Sequence, residues 1–136
     1  MLAIPTRFWY NVVHLLGERH CRETLDIIFK TTKLQKECND FRVLQKVHGK
    51  QRARLIRRRL DELRAANTLA EISHLPPPRM HPLKGERQGQ ISLDLDHPYR
   101  LLITVANDPI PKKDNGSINL SKVTAVMILE VKDTHD

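Results

Sequence analysis

The fold is decided by residues 81–101, which read HPLKGERQGQISLDLDHPYRL. Over residues 91–96, aliphatic side chains alternate with Ser and Asp, and this two-residue period is typical of a strand with one apolar and one polar face. His97 and Pro98 then interrupt the strand, because proline has no N–H to donate to a neighbouring strand. A second extended run covers residues 99–105. The sequence therefore predicts a β-hairpin.

Basic side chains flank this hairpin. Lys84 and Arg87 precede its first strand, and Arg100 lies at the start of the second. We expect these three permanent cations to converge on the polar side of the sheet, close to His81. Such a patch favours an anionic ligand.

The segments before the hairpin predict one strand and two helices. Residues 25–30 have the composition of a strand, and Thr31 or Thr32 can cap a helix that ends at Gly49. A second helix begins near Lys50, where apolar residues recur at spacings of three and four. The stripe that must face the core consists of Ala53, Ile56, Leu60 and Leu63.

The remaining segments complete the sheet. The proline-rich residues 75–80 predict a stiff, extended connector, and residues 107–116 predict a turn-rich loop. Residues 123–131 predict the last strand, which we expect to be central because both of its faces are partly apolar. The predicted fold class is α+β: one curved, mainly antiparallel sheet with two N-terminal helices packed on one face. Residues 1–24 are interpreted as an N-terminal extension and residues 25–136 as a single domain.

The chain of 136 residues carries a formal net charge of +7. The excess is concentrated over residues 42–64, where nine Lys and Arg residues accompany only two acidic ones. The second helix is therefore either a solvated surface or a face that binds a polyanion or an acidic protein segment. If it binds RNA, Arg57 and Arg58 are candidate phosphate contacts.

Composition and spacing disfavour several classes of protein. Cys21 and Cys38 belong to no CxxC pair, which predicts reduced thiols in a cytoplasmic protein. No histidines or cysteines recur at the spacing of metal ligands, and there is no glycine-rich phosphate loop, so we expect neither a metal nor a cofactor. No run approaches the length of a membrane span, and a secretory signal is not expected.

Two histidines and three cations supply the candidate chemistry. His81 and His135 can accept and donate protons near neutral pH. Lys84, Arg87 and Arg100 can hold a phosphate and stabilise the extra charge of a pentacoordinate transition state. A metal-free ribonuclease needs these groups, because the 2′-hydroxyl must lose its proton, attack the adjacent phosphorus and expel a protonated 5′-oxygen.

Five segments resemble the HigB-like toxins of the RelE/ParE superfamily of plasmid-maintenance killer proteins. They are residues 58–66, 81–101, 106–111, 122–126 and 133–135, and the most specific motif is a Leu-Lys-Gly-acid-Arg turn followed by a Tyr-Arg strand. The resemblance implies a RelE-like fold and the toxin of a type II toxin–antitoxin system, an mRNA interferase that acts on the ribosome and arrests growth. It also implies a cognate HigA-type helix-turn-helix antitoxin, with operator DNA bound only through the toxin–antitoxin complex.

The resemblance also implies roles for single residues. His135 matches the proton-transfer histidine of the family, with Asp133 as its neighbour, and His81 and Arg100 complete the expected catalytic set. Lys84 and Arg87 match phosphate-contacting positions. The chain departs from the family at Thr134, where a tyrosine is usual, and at residues 101–104, which lack the phenylalanine that the family commonly carries. Most relatives also lack the extension at residues 1–24.

Two other functions stay open. A ParE-like toxin would poison DNA gyrase through a protein contact and would need no proton-transfer groups. A transcriptional co-repressor would act together with its antitoxin. The basic helix fits that function as well as it fits ribosomal RNA or an acidic antitoxin segment.

Overall fold

A computed structural model describes residues 24–133, which form five strands and three helices and confirm the α+β class. The strands are β1 (Asp26–Phe29), β2 (His81–Pro82), β3 (Gln90–Asp94), β4 (Tyr99–Val105) and β5 (Ala125–Asp133). The helices are α1 (Thr32–Asn39), α2 (Phe41–His48) and α3 (Lys50–Ala65). Apart from Thr24, the predicted N-terminal extension lies outside the described residues.

The strands form one sheet in the order β1-β5-β4-β3-β2. β1 runs parallel to β5, and each other neighbouring pair is antiparallel, so the sheet is mainly antiparallel as predicted. β5 pairs with a strand on either side, which confirms its predicted central position.

β3 and β4 form the predicted hairpin, with Leu93 opposite Leu101. Ile91 and Leu93, the apolar members of the alternation in β3, are buried. β3 ends at Asp94, although the apolar–polar alternation of the sequence continues to Asp96, which lies in the turn. There its carboxylate accepts two hydrogen bonds from Arg52 of α3, at 2.9 and 3.0 Å.

β5 contains a register shift. Ile103 of β4 lies opposite Ile128, whereas Leu102 lies opposite Glu130, so Leu129 is an extra residue on β5. Such a bulge reverses the side-chain alternation of the residues that follow it. Ile128 therefore faces the core, and Glu130, two residues later, faces the other side of the sheet.

The helix predicted over residues 32–49 is in fact two helices, so the prediction of two N-terminal helices is wrong by one. Asp40 separates α1 from α2, with an extended backbone (φ −128°, ψ 106°) and an Oδ1 that accepts from the N–H of Arg42 at 3.0 Å. Aspartate favours such a break, because its short side chain competes for amides at a helix start. The predicted cap of α1 is confirmed, since Thr31 Oγ1 accepts from the N–H of Leu34 at 3.1 Å.

The core lies between α3 and one side of the sheet. The predicted apolar stripe of α3 is buried, with no member more than 1% exposed: Ala53, Ile56, Leu60 and Leu63. These side chains form one cluster with residues of β3, β4 and β5: Ile91, Leu93, Leu101, Ile103, Val126 and Ile128. Side chains at the intervening positions of β3 and β4 point to the opposite side of the sheet.

The proline-rich connector is a compact turn, so the predicted extended conformation is wrong. The N–H of Arg79 donates to the carbonyl of Leu75 at 3.1 Å, which closes the turn. The N–H of Asp94 in β3 donates to the carbonyl of Pro78 at 2.7 Å. Prolines lack a donor but keep their carbonyl acceptor, and here those acceptors attach the turn to the domain.

α3 has 16 residues, and its exposed side is basic rather than apolar. Within residues 24–133, no helix combines the length and the apolar character needed to cross a membrane.

Arg59 is a charged residue of α3 that is only 2% exposed. Its Nε donates to the carbonyl of Asp94 at 2.8 Å, and its Nη2 donates to the carbonyl of Pro77 at 3.2 Å. Its Nη1 donates to both carboxylate oxygens of Glu62 at 3.1 Å. One guanidinium therefore joins the helix, the proline turn and the end of β3.

We expect Arg59→Met to lower the free energy of unfolding by about 2–4 kcal/mol, because the carbonyls of Asp94 and Pro77 and the carboxylate of Glu62 would lose the donor that joins them. Urea denaturation followed by circular dichroism measures this change. Arg64→Met is the control, because Arg64 forms an exposed pair with Asp61 on the same helix. It should change the free energy by less than about 0.5 kcal/mol. Equal losses in both variants would contradict the role of Arg59.

Candidate functional site

The side of the sheet that faces away from α3 carries mostly polar residues. The cross-strand register forms two adjacent rows there, one of His81, Ser92, Leu102 and Glu130 and one of Asp94, Arg100 and Lys132. We call these residues the polar face. Leu102 is fully buried although it lies outside the core cluster, so the polar face has an apolar floor beneath its charged groups.

His81 contacts three polar groups. Its Nδ1 lies 3.2 Å from the carbonyl of Pro82, and its Nε2 lies 3.2 Å from Ser92 Oγ and 3.4 Å from Arg100 Nη1. A carbonyl only accepts and a guanidinium only donates, so both contacts fit a neutral imidazole with its proton on Nδ1. In this tautomer the Nε2 lone pair is able to accept a proton.

Asp94 connects two arginines beside His81. Arg79 donates to its carboxylate from Nε at 2.7 Å and from Nη2 at 3.2 Å. These hydrogen bonds, followed by the negative charge of Asp94, raise the pKa of Arg79. Arg100, the cross-strand neighbour of Asp94, is bound more loosely, with its Nε 3.5 Å from the nearer carboxylate oxygen.

Arg87 reaches the polar face from a short 3-10 helix at Gly85–Arg87. Its Nη1 donates to Gln90 Oε1 at 3.2 Å and lies 3.7 Å from Glu130 Oε2. Lys84 is exposed and directly precedes this helix. Four cations therefore lie on or beside the polar face with two carboxylates, the cations being Arg79, Arg87, Arg100 and Lys132.

Asp133 lies on the other side of the sheet. It is opposite Tyr99 in the register, and Arg52 of α3 stacks on the Tyr99 ring with its Cζ 3.5 Å from the ring centroid. Tyr99 and Asp133 therefore point towards the helix layer. The structure does not bring Asp133 together with His81, and His135 lies outside the described residues.

Arg57 and Arg58 are exposed on α3, which packs on the side of the sheet opposite to the polar face. The Cζ of Arg57 lies 5.1 Å from the ring centroid of Phe41 in α2. These two arginines belong to a basic surface of the helix layer, which is separate from the polar face.

Sequence reasoning assigned no role to Arg79, Asp94 or Lys132. The pairing of Asp94 with Arg100 follows from the hairpin register once the turn is placed. Lys132 lies beyond the predicted end of the last strand, and the bulge changes the side to which it points. Arg79 has no periodic signal, because it belongs to the irregular connector.

A second polar cluster lies between α1 and α2. His48 Nε2 is 3.8 Å from Glu37 Oε1, and both side chains are largely buried. Burial lowers the pKa of His48, and the carboxylate of Glu37 only partly offsets this effect. Burial, followed by the charge of Glu37, raises the pKa of Cys38 to about 11, so this thiol stays protonated at neutral pH. Across residues 24–133, no group of three or more His, Cys, Asp or Glu side chains is arranged to hold a metal ion.

We expect acidification to destabilise the protein partly through His48. Because its pKa in the folded state is below 6.5, the unfolded chain takes up a proton first as the pH falls past that value, and folding becomes less favourable. Gln cannot titrate, so the urea midpoint of His48→Gln should fall less than that of the wild type between about pH 7 and about pH 5. The exposed residue His74 supplies the control. The urea midpoint of His74→Gln should fall by as much as that of the wild type over the same pH range. An undiminished fall in His48→Gln would rule out this contribution.

No protein-family model matches the chain, and a search of the curated proteins found no match to it.

Proposed function

We propose that this chain is the toxin of a type II toxin–antitoxin pair, with a RelE-like fold of the HigB kind, and that it cleaves mRNA on the ribosome. The mainly antiparallel sheet with an α-helical layer supports the fold assignment. The activity is supported best by one contact, that of His81 Nε2 with Arg100 Nη1 at 3.4 Å, on a face with more cations than carboxylates.

His81 is the proposed base. In the tautomer that donates from Nδ1 to the carbonyl of Pro82, its Nε2 can take the proton of a ribose 2′-hydroxyl. The 2′-oxygen then attacks the adjacent phosphorus, and the bond from phosphorus to the 5′-oxygen breaks. The products are a 2′,3′-cyclic phosphate and a 5′-hydroxyl, whose proton comes from His135 in the role that the family resemblance implies.

Arg100 is the proposed stabiliser of the transition state. Within the described part of the chain it directs Nη1 to His81 and Nε to Asp94, which makes its Nη2 available to a phosphate oxygen. A donor held in advance near the phosphorus favours the charge that develops there. Arg87 and Lys132 contribute positive potential that attracts the RNA backbone.

Asp133 has a different role in this proposal from the one expected at the outset. It lies on the helix side of the sheet beside Tyr99, so we assign it no contact with the reacting phosphate. It is the last described residue of β5, two residues before His135 in the sequence.

The proposed partners follow from the same assignment. They are the ribosome with its mRNA and a HigA-type helix-turn-helix antitoxin, with operator DNA bound through the toxin–antitoxin complex and the whole system in the cytoplasm. The exposed arginines of α3, Arg57 and Arg58, are the proposed contacts to ribosomal RNA or to an acidic antitoxin segment. Lys84, which is equally exposed, is a proposed contact to the mRNA backbone. The proposed reaction needs no cofactor.

We expect Arg100→Ala to abolish growth arrest on induction in bacteria and to slow ribosome-dependent mRNA cleavage by about 10²–10³-fold, the usual effect of removing a transition-state donor. His81→Ala and His135→Ala should give losses of similar size, whereas Lys113→Ala, a loop change with the same loss of charge, should stay toxic. Primer extension on translated mRNA measures the cleavage, and circular dichroism verifies folding. Toxicity that persists in folded Arg100→Ala would contradict the assignment.

A gyrase poison is the second candidate, and one observation favours it. Arg87 and Arg100 each have a carboxylate within 3.7 Å, so part of their charge is already balanced, as in a surface shaped for a protein partner. If the protein inhibits DNA supercoiling by gyrase and does not cleave translated mRNA, these results would support this candidate over the nuclease.

A further inference from the structure

Arg79 has an unusual backbone conformation. Its φ of 44° is the only positive value at a non-glycine residue within residues 24–133. A side chain with a Cβ adopts the left-handed region at a cost, and residues that do so often serve a site. Here the conformation accompanies a two-pronged contact of the guanidinium with Asp94, at 2.7 and 3.2 Å.

The carboxylate of Asp94 is held between two arginines. Its backbone is fixed on both sides, because its N–H donates to the carbonyl of Pro78 at 2.7 Å and its carbonyl accepts from Arg59 at 2.8 Å. These two bonds fix the backbone from which the carboxylate projects onto the polar face. Arg79 donates to both oxygens of the Asp94 carboxylate, at 2.7 and 3.2 Å, whereas the ion pair of Arg100 with this carboxylate has an N–O distance of 3.5 Å.

The difference between these two contacts decides what Arg100 can do. If Arg79 were absent, Arg100 would be the cation nearest to the Asp94 carboxylate. Arg100 could then form a close, two-pronged ion pair with Asp94, which would draw its guanidinium away from His81. With Arg79 present, the three side chains of Arg79, Asp94 and Arg100 together carry a net positive charge. Arg100 also keeps its contact with His81 Nε2.

We propose that Arg79 is a positioning residue: it occupies Asp94 and thereby keeps Arg100 free to bind a phosphate group next to His81. The inference rests on the proposed function, because it assumes that the polar face binds the RNA backbone. Arg79 lies outside the site expected from the sequence. Asp94 competes with the phosphate group for Arg100 unless Arg79 binds its carboxylate.

A rescue experiment tests this. Arg79→Ala should bind a short single-stranded 2′-O-methyl oligoribonucleotide about tenfold more weakly than the wild type, as is usual for coupled charged residues. Asp94→Asn keeps the shape of the side chain but removes its charge, so the double variant Arg79→Ala/Asp94→Asn should return to within about threefold of the wild type. Fluorescence anisotropy at fixed low salt measures the affinities.

A matched pair of residues supplies the control. Arg64 and Asp61 form an exposed ion pair on α3 with an N–O distance of 3.5 Å. Arg64→Ala and Asp61→Asn change the net charge by the same amounts as the test variants, and each should alter affinity by less than about twofold. They correct for the general effect of net charge on binding to a polyanion.

A second measurement does not depend on RNA. In the wild type, inorganic phosphate should shift the NMR resonance of the His81 Cε1 proton in a saturable way. Arg79→Ala should weaken this binding by about the same tenfold factor, and the double variant should restore it.

The outcomes separate the inference from the proposed function. A double variant as weak as Arg79→Ala overturns the inference, because Arg79 would then touch phosphate itself or, if the melting temperature also falls, would only support the fold. The inference is also overturned if phosphate does not shift the His81 Cε1 proton resonance of the wild type. If rescue occurs with both probes but translated mRNA is not cleaved, the nuclease proposal fails and the inference stands.

Discussion

One buried guanidinium, that of Arg59, connects the helix layer to the polar face of the sheet. From α3 it donates to the main chain at Pro77 and Asp94, so it fixes both the proline turn and the last residue of β3. A charge that is 2% exposed is stable only when its donors are satisfied, and these two carbonyls together with Glu62 satisfy them. Because Arg59 holds the carbonyl of Asp94, it fixes the backbone from which the carboxylate of the same residue reaches Arg79 and Arg100.

Sequence patterns predicted the parts of the fold that depend on periodicity. Alternation located β3, the extended run after Pro98 located β4, and spacings of three and four located the buried stripe of α3. Burial on one side of an element produces such a period directly. Asp40 broke the expected first helix because its side chain captures the N–H of Arg42, and hydrophobic spacing does not register such a local competition. The proline-rich connector was mistaken for an extended segment because its carbonyls find donors far away in sequence, as Pro78 does at Asp94.

The candidate site was only partly predictable for the same physical reason. His81 and Arg100 are brought together by the pairing of β2, β3 and β4, and only the hairpin of β3 and β4 was predictable from the sequence pattern. Asp133 was expected with them, yet its side of the sheet is set by strand register, and motif spacing along the chain carries no information on that. Arg79 lies in irregular backbone, where no period exists to reveal it.

The extra residue at Leu129 separates two constraints within a single strand. Before it, Val126 and Ile128 are packed in the core, where changes of volume are costly; after it, Glu130 and Lys132 lie on the polar face. Uninterrupted alternation would turn Glu130 and Lys132 towards the apolar core and Val131 away from it. The single inserted residue therefore lets one strand carry charge outward in its second half without burying that charge.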